Sequence, residues 1–246
     1  MERAEVERLA AVEDRHWWFG GLHANLLAAW RAGAAAEERP ALLDLGCGTG
    51  GFLARLAAAL PKARLYGLDR DAAAAALARG KSGALIIVGD AAAAPFAAAG
   101  FDGVFSADLL CHRGVDEAAT LAEIYHALRR GGLLVLNLPA YRWLYSAHDR
   151  AVDNARRYGR RRIAALLADA GFVRVRSRYW NSFLFPLMVL HRKLGRPSRP
   201  AASDVALLAA PLDRVFAACL ALERGLWRGG VALPFGGSIL TTAVKP

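Results

Sequence analysis

The sequence predicts an α/β protein built on a mostly parallel sheet with helices on both faces, and three observations lead there. Short apolar runs of strand type alternate with stretches of helical spacing, joined by few residues. That order buries a parallel sheet between helices. A glycine-rich turn, Gly46-Cys47-Gly48-Thr49-Gly50-Gly51, follows the first run. Aspartates then stand at or near strand ends, at Asp44, Asp69, Asp90 and Asp108. Such sheets bind ligands outside the carboxyl ends of their strands, so the acidic residues fall where a site is expected.

Element by element, Leu42–Leu45 reads as a short buried strand and Phe52–Leu60 as the helix after the glycines. Arg64–Leu68 is a strand ending at Asp69, and Asp71–Arg79 a helix. Ala84–Val88 is a strand ending at Asp90, and Phe101–Ala107 one ending at Asp108. Glu117–Arg130 is helical, Leu133–Leu138 forms the fifth strand, and Arg160–Ala170 is a helix closed by Gly171. Phe172–Arg178 and Ser238–Val244 complete seven strands. The expected organisation is an N-terminal helical cap over residues 1–39 and a core over 40–180. A helical insertion over 181–236 and a final core strand over 237–246 follow.

At 246 residues, 55% hydrophobic and 22% charged, the chain fits one decorated globular domain. A net charge of +10, carried mostly by arginine, favours an anionic partner: a phosphate-bearing substrate, nucleic acid or a membrane surface. Abundant Ala and Arg also fit a GC-rich coding sequence. Cys47, Cys111 and Cys219 are too few and scattered for a disulfide framework or a zinc site, so a reducing cytoplasm and no metal are expected. Met1 to Asp14 is charged and has no apolar core of a leader peptide. No apolar run reaches the ~18–20 residues of a membrane span. Peripheral contact at the inner membrane face remains open.

The glycines at 46, 48, 50 and 51 let backbone approach a ligand and permit positive φ, and the helix behind them presents unpaired N–H groups. Gly46, Gly48 and Gly51 also satisfy the dinucleotide pattern G-x-G-x-x-G. Asp44 weighs against a pyrophosphate, which its carboxylate repels, and suits an ammonium or hydroxyl. Here the chain resembles the class I methyltransferases that bind S-adenosylmethionine (SAM), whose first motif runs D-x-G-C-G-T-G. Asp69, 19 residues beyond Gly50, suits the ribose hydroxyls in either family. Asp90 separates them, because in the methyltransferases this G-D-A position bonds the adenine amino group. Phe101-Asp102-Gly103-Val104 and Leu128-Arg129-Arg130-Gly131-Gly132 resemble further motifs, with Arg130 where proline is usual. The resemblance covers about residues 41–180 and implies a Rossmann-like fold. It implies a donor site of Asp44, Gly46, Cys47, Gly48 and Gly50, joined by Asp69, Arg70, Asp90, Ala91 and Asp108.

His16-Trp17-Trp18-Phe19 is similar to the H-W-W-F opening of one bacterial subgroup. Pro139 to Asp149 resembles its P-A-Y-x-x-L-W-S-x-H-D, and Arg156-Arg157-Tyr158 its H-x-R-R-Y, with Asn154 in place of the histidine. Pro234 to Ser238 resembles its closing P-x-G-x-S. The subgroup is associated with lipid-linked saccharides and secondary metabolites. The aromatic loop from Pro139 to Tyr158 has the mix of apolar bodies and polar anchors expected of an acceptor pocket, or of a loop packed for stability. The three aromatics after His16 read equally as a hydrophobic staple. The insertion, with Phe183–Leu190 and then Arg192, Lys193, Arg196 and Arg199, reads as a lid touching substrate or membrane, or as a further helical layer. The run Arg156–Arg162 reads as a phosphate site or a solvated helix start.

The implied reaction is methyl transfer to O or N of a small acceptor, lipid-linked or phosphorylated among the options. His112 and His148 are the candidate bases, and Tyr141 and Asp149 candidate orienting groups. Nucleic-acid methylation and a non-catalytic partner subunit are the alternatives. No appended RNA-binding module supports the first, and the intact glycine loop argues against the second.

Overall fold

The computed structural model describes residue 6, residues 10–194 and residues 209–246. Arg196 and Arg199 lie outside the described residues. The described strands are β1 (Ala41–Leu45), β2 (Arg64–Asp69), β3 (Leu85–Val88), β4 (Phe101–Ala107), β5 (Leu128–Pro139), β6 (Val173–Trp180) and β7 (Ser238–Val244). They form one sheet in the order β3-β2-β1-β4-β5-β7-β6. β1 pairs in parallel with β2 and β4, as do β2 with β3 and β4 with β5. β7 is antiparallel to both β5 and β6. β6 therefore runs in the same sense as β5, and the chain leaves it at the carboxyl edge of the sheet. Whatever follows β6 starts on the side where ligands bind.

Alternation along each strand sends side chains to two apolar layers. Leu43 and Leu45 face one layer with Leu121, Ile124, Tyr158, Ile163 and Leu167. These come from α4 (Glu117–Ala127), α6 (Arg160–Asp169) and the loop before α6. Leu42 faces the other with Leu22, Leu26 and Trp30 of α1 (Trp17–Gly33), and Leu53 and Leu56 of α2 (Gly51–Ala59). Ala75 and Ala78 of α3 (Ala72–Ser82) complete that side. Each buried leucine contributes about 1.5–3 kcal/mol relative to exposure.

Several boundaries differ from the sequence expectation for local reasons. The α3 helix begins after Asp71, whose Oδ1 accepts from the N–H groups of Ala73 and Ala74, and it runs to Ser82. Asp71 is thus a cap rather than a helical residue. The expected helix Glu117–Arg130 stops at Ala127. Leu128 is extended and pairs with Phe101, the Arg129 guanidinium binds Asp102, and Lys245 Nζ donates to the carbonyls of Tyr125 and Leu128 at 2.7 Å. These partners are distant in sequence, and they convert the last expected helical turn into the bulged start of β5. The sixth strand extends two residues further than expected, to Trp180, because β7 pairs with it to that point.

The insertion contributes α7 (Phe185–Leu194) and α8 (Ala210–Arg228). Between β5 and α6 lie a short 3-10 turn (Arg142–Leu144) and α5 (Ala147–Ala151). Across the face of the sheet, α8 lies against α1: the Trp17 N–H donates to Asp213 at 3.2 Å, and Trp17 meets Phe216 edge to face. Glu223 of α8 accepts from the N–H groups of Ser182 and Phe183, both at 2.7 Å, and so ties α8 to the turn after β6. Among the described residues no helix is long and apolar enough to cross a membrane.

Candidate functional site

The glycine loop forms between the end of β1 and the start of α2. Gly46, Gly48 and Gly50 have φ of +81°, +52° and +85°, values that only glycine adopts without strain. Gly46 and Cys47 N–H groups donate to the Leu68 carbonyl of the neighbouring strand at 2.8 and 3.0 Å, and Gly50 donates to Cys47. At Gly50 a Cβ would stand 2.6 Å from Ala78 Cα, so this glycine is also demanded by helix packing. At Gly48 a Cβ would meet nothing within 4 Å. The turn therefore presents bare backbone to open space there, which is the shape of a cradle.

Acidic residues surround that cradle. Asp69, at the end of β2, accepts from Gly48 N–H at 2.8 Å and from Asp71 N–H at 2.9 Å. Asp44 lies within β1, 4% exposed. No described residue hydrogen-bonds its carboxylate. Burial, with the charges of Glu13 and Asp69 nearby, pushes its pKa up to about 8. Burial disfavours the charged form of an acid, and a cationic ligand would offset that. Asp90 is exposed and caps the 3-10 turn Ala91–Ala93 through the Ala92 N–H at 2.9 Å, with Ala91 buried behind it. Gly89 N–H donates to the Asp69 carbonyl, joining the ends of β2 and β3. Arg70 is exposed, and its guanidinium lies beside Gly114 in the loop after β4.

Beyond β1 the carboxyl edge carries a different chemistry. Asp108, Tyr141 and Asn181 sit just past the ends of β4, β5 and β6 with φ of +53°, +58° and +57°. Non-glycine residues held there are strained, and such strain concentrates at sites. Asp108 is held by Asn137, whose amide nitrogen lies 3.1 and 3.2 Å from its two oxygens. The Trp180 indole donates to Asn137 Oδ1 at 2.8 Å. An indole N–H only donates, so it fixes the amide orientation, and Asn137 must donate to Asp108. Burial raises Asp108 to about 7, opposed by the Asn137 bond and by Arg157.

The loop after β4 is stitched to the aromatic loop. Ala155 and Arg156 N–H groups donate to the Cys111 carbonyl, His112 and Asn154 form a β-bridge, and the Tyr158 hydroxyl donates to the Leu110 carbonyl. His112 is thereby placed beside that loop; burial lowers its pKa, and the Asp153 and Val152 carbonyls oppose the shift. His148 is half-buried in α5. Tyr141 stacks on Tyr179 at 5.2 Å and meets Trp143 and Phe185, each at 5.6 Å. Burial and the Tyr179 hydroxyl push its pKa up to about 12. Phe185 and Phe235 extend this cluster, and Arg160 and Lys193 cover the rings of Tyr179 and Trp143.

Two expectations change in detail. Asp149 does not face open space. It is fully buried, with Oδ1 taken by Arg157 at 2.8 Å and Oδ2 by the Ser146 N–H and by Arg192 at 3.2 Å. It joins the aromatic loop to α7; burial pushes its carboxyl up, but the charges of Arg157 and Arg192 with the Arg157 and Ser146 hydrogen bonds together hold it below the usual range. The arginine run is largely spent within the fold as well. Arg156 binds the carbonyls of Leu110 and His112, Arg157 binds Asp149 and Ala140, and Arg162 binds Glu117. Arg160 and Arg161 stay exposed.

Sequence reasoning passed over Asn137, Trp180, Glu223 and Glu13. Asn137 had a signal, being the one polar residue in the apolar run Leu133–Leu138. The others had none, since each acts through partners far along the chain.

A seven-stranded sheet of this order, a glycine cradle backed by a buried acid, and an acid at the end of β2 make up the fold of the class I SAM-dependent methyltransferases. The comparisons agree: residues 43–136 match the family described as Methyltransferase domain (type 11). No curated protein matches the chain in sequence. Among solved structures it is similar to the methyltransferase in complex with the Haloferax volcanii Trm112 activator. There the identity is 23% and the TM-score 0.64, over 99% of this chain and 95% of that one. It is also similar to Haemonchus contortus phosphoethanolamine N-methyltransferase 2 with bound SAM. That match has 19% identity and a TM-score of 0.60, over 91% of this chain and 52% of that one. A third is the Streptomyces coelicolor geranyl diphosphate C-methyltransferase, at 15% identity and TM-score 0.58, over 91% of this chain and 79% of that one. At these identities the structures speak for the fold. The second and third are methyltransferases solved with SAM or its demethylated product.

Proposed function

We propose that the protein transfers the SAM methyl group to an oxygen or nitrogen of a small anionic acceptor, phosphorylated or lipid-linked, by in-line displacement. The observation that carries this reading is the division of the carboxyl edge. A cradle and acids occupy the ends of β1 to β3, while strained backbone and an aromatic cluster occupy the ends of β4 to β6. Bound SAM supplies an already electrophilic methyl, so this chain has chiefly to align the acceptor at near-attack distance. In this reading Gly46, Cys47, Gly48 and Gly50 shape the donor cradle, Asp69 takes the ribose hydroxyls, and Asp90 with Ala91 borders the adenine. Arg70 closes the outer side, and Asp108 lies where the donor and acceptor halves meet.

On the acceptor side His112 and His148 are the groups suited to removing a proton from an attacking amine or hydroxyl. Tyr141 offers a ring face. Asp149 acts through Arg157 and Arg192 as a positioning residue that holds the aromatic loop against α7. The exposed cations Arg160 and Arg161 suit an anionic acceptor, and the substrates of two structural neighbours, phosphoethanolamine and geranyl diphosphate, are of that chemistry. The exposed Phe183, Leu187 and Leu190 follow one stripe of the α7 region beside Trp143 and Lys193. This supports peripheral contact with an anionic bilayer that delivers a lipid-linked acceptor.

The test is incubation with methyl-labelled SAM and a panel of phosphorylated amines, prenyl phosphates and lipid-linked saccharides. Label in one of these is the expected result. Label appearing instead in RNA, with binding that weakens steeply as salt rises, would favour the nucleic-acid reading. The internal use of Arg156, Arg157 and Arg162 already argues against that.

A further inference from the structure

A polar cavity lies away from the glycine loop, on the α1 side of β6. Counting its open mouth, it encloses about 320 Å³. Asn25 of α1, Arg178 and Trp180 of β6, and Glu223, Arg224 and Trp227 of α8 line it. Strand alternation sets it on the opposite face of β6 from the aromatic cluster, since Trp180 packs with the α1 layer and Tyr179 with the other. The Arg178 guanidinium lies 3.8 Å over the Trp227 ring. Arg224 Nη1 donates to Asn25 Oδ1 at 3.4 Å.

The groups around this cavity are incompletely matched. Arg178 and Arg224 are half-buried, and neither pairs with a carboxylate among the described residues. Burial and the neighbouring Arg176 lower the Arg178 pKa to about 10, and burial with Arg228 and Arg55 lowers that of Arg224. Both guanidinium groups thus lack an anion. Glu223, 6% exposed, lacks a donor. Its Oε1 accepts from the Ser182 and Phe183 N–H groups, while Oε2 is buried with no hydrogen-bond partner among the described residues. A buried acceptor left unpaired is costly. A ligand meeting both demands offers oxygen acceptors to two guanidinium groups and an O–H to Glu223. Hydrogen phosphate does this, and guanidinium groups suit its oxygens bidentately. Sulfate, which carries no proton at neutral pH, meets only the first demand. An ammonium meets only the second and is repelled by the arginines.

We propose that this cavity is a binding site for a hydrogen phosphate group, free or as a monoester, held by Arg178 and Arg224 and read through its P–OH by Glu223 Oε2. The site is separate from the acceptor region proposed above and stands independently of it. Because α1, β6 and α8 each contribute side chains, an occupied site clasps α8 to the sheet beside the tie from Glu223 to the turn after β6. Its ligand therefore stabilises the folded chain.

The experiment is calorimetric titration of the full chain with inorganic phosphate, glycerol phosphate and sulfate, at neutral pH and constant ionic strength. A phosphate probe should bind one-to-one and about tenfold or more tightly than sulfate. Tighter binding of glycerol phosphate than of inorganic phosphate would assign the site to an ester, and the reverse order to the free ion. Arg178→Gln and Arg224→Gln should each weaken phosphate binding by about tenfold or more. Arg160→Gln, in the aromatic cluster, should leave it within about twofold of the parent. Glu223→Gln places an amide donor where the bare oxygen stood, and should bring sulfate to within about threefold of phosphate. If that variant does not fold, the arginine variants carry the test. Equal affinity of the parent for sulfate and phosphate, or binding of neither, would overturn the proposal. So would phosphate binding lost in Arg160→Gln and kept in Arg178→Gln, which would place the anion in the proposed acceptor region instead.

Discussion

The two halves of the carboxyl edge are built on different principles. The half proposed for the donor is local: Asp44, the glycines and Asp69 belong to one β-α-β unit, and each is placed by its own strand end or turn. The half proposed for the acceptor is assembled from afar. Asp149 meets Arg192 across 43 residues, Glu223 meets Ser182 across 41, and Asp213 meets Trp17 across 196. A glycine cradle depends on backbone conformation and survives change elsewhere. A pocket built on buried ion pairs depends on partners that must all be present. The comparison predicts that the halves fail separately.

The largest effect should come from the acceptor half. Asp149→Asn leaves the buried Arg157 without its ion-pair partner and should cost about 3–5 kcal/mol of stability, read by denaturant titration. In the folded fraction SAM affinity should stay within about twofold of the parent. A tenfold loss would show that the halves are coupled. In the donor half, Gly50→Ala places a Cβ against Ala78 at a left-handed φ. It should cost about 2–4 kcal/mol and weaken SAM binding as well.

Next in size is a pH effect centred on the donor half. Asp44 and Asp108 both hold their protons more tightly folded than unfolded, with pKa values of about 8 and about 7. Unfolding therefore releases protons between the ordinary carboxylate range and these values, and stability must fall as pH rises through that window. Thermal melts from pH 5 to pH 8 should show the decline, and Asp44→Asn should flatten much of it. A slope unchanged in Asp44→Asn would mean that Asp44 is not the titrating group. The smallest effect is expected from Trp143→Ala at the exposed end of the aromatic cluster. Stability should change by less than about 1 kcal/mol, with SAM affinity intact and co-sedimentation with anionic vesicles reduced. Unchanged co-sedimentation would remove Trp143 from the membrane-facing surface.

How much of the protein was legible in its sequence follows from the same contrast. Strands β1 to β4, the cradle and Asp69 were readable because glycine conformation, capping and strand alternation act within a few residues. The end of α4 was not, because Lys245 and Asp102 set it from elsewhere in the chain. The aromatic loop stood out by its composition, but composition could not distinguish Tyr141, which stacks on Tyr179, from Asp149, which is buried against two arginines. The arginine run read as a cluster for an anion, and long-range carbonyls and carboxylates absorbed half of it. Glu13 was invisible for the same reason: nothing within its own segment marks it as the neighbour of Gly51.

The central claim is that the cradle and its acids bind SAM. Isothermal titration with SAM and, separately, with NAD tests it most directly, on the parent chain and on Gly48→Val and Asp90→Ala. Saturable one-to-one binding of SAM by the parent, loss of that binding in Gly48→Val, clear weakening in Asp90→Ala and no heat with NAD are expected. Binding of NAD in place of SAM, or SAM affinity unchanged in both variants, would contradict it.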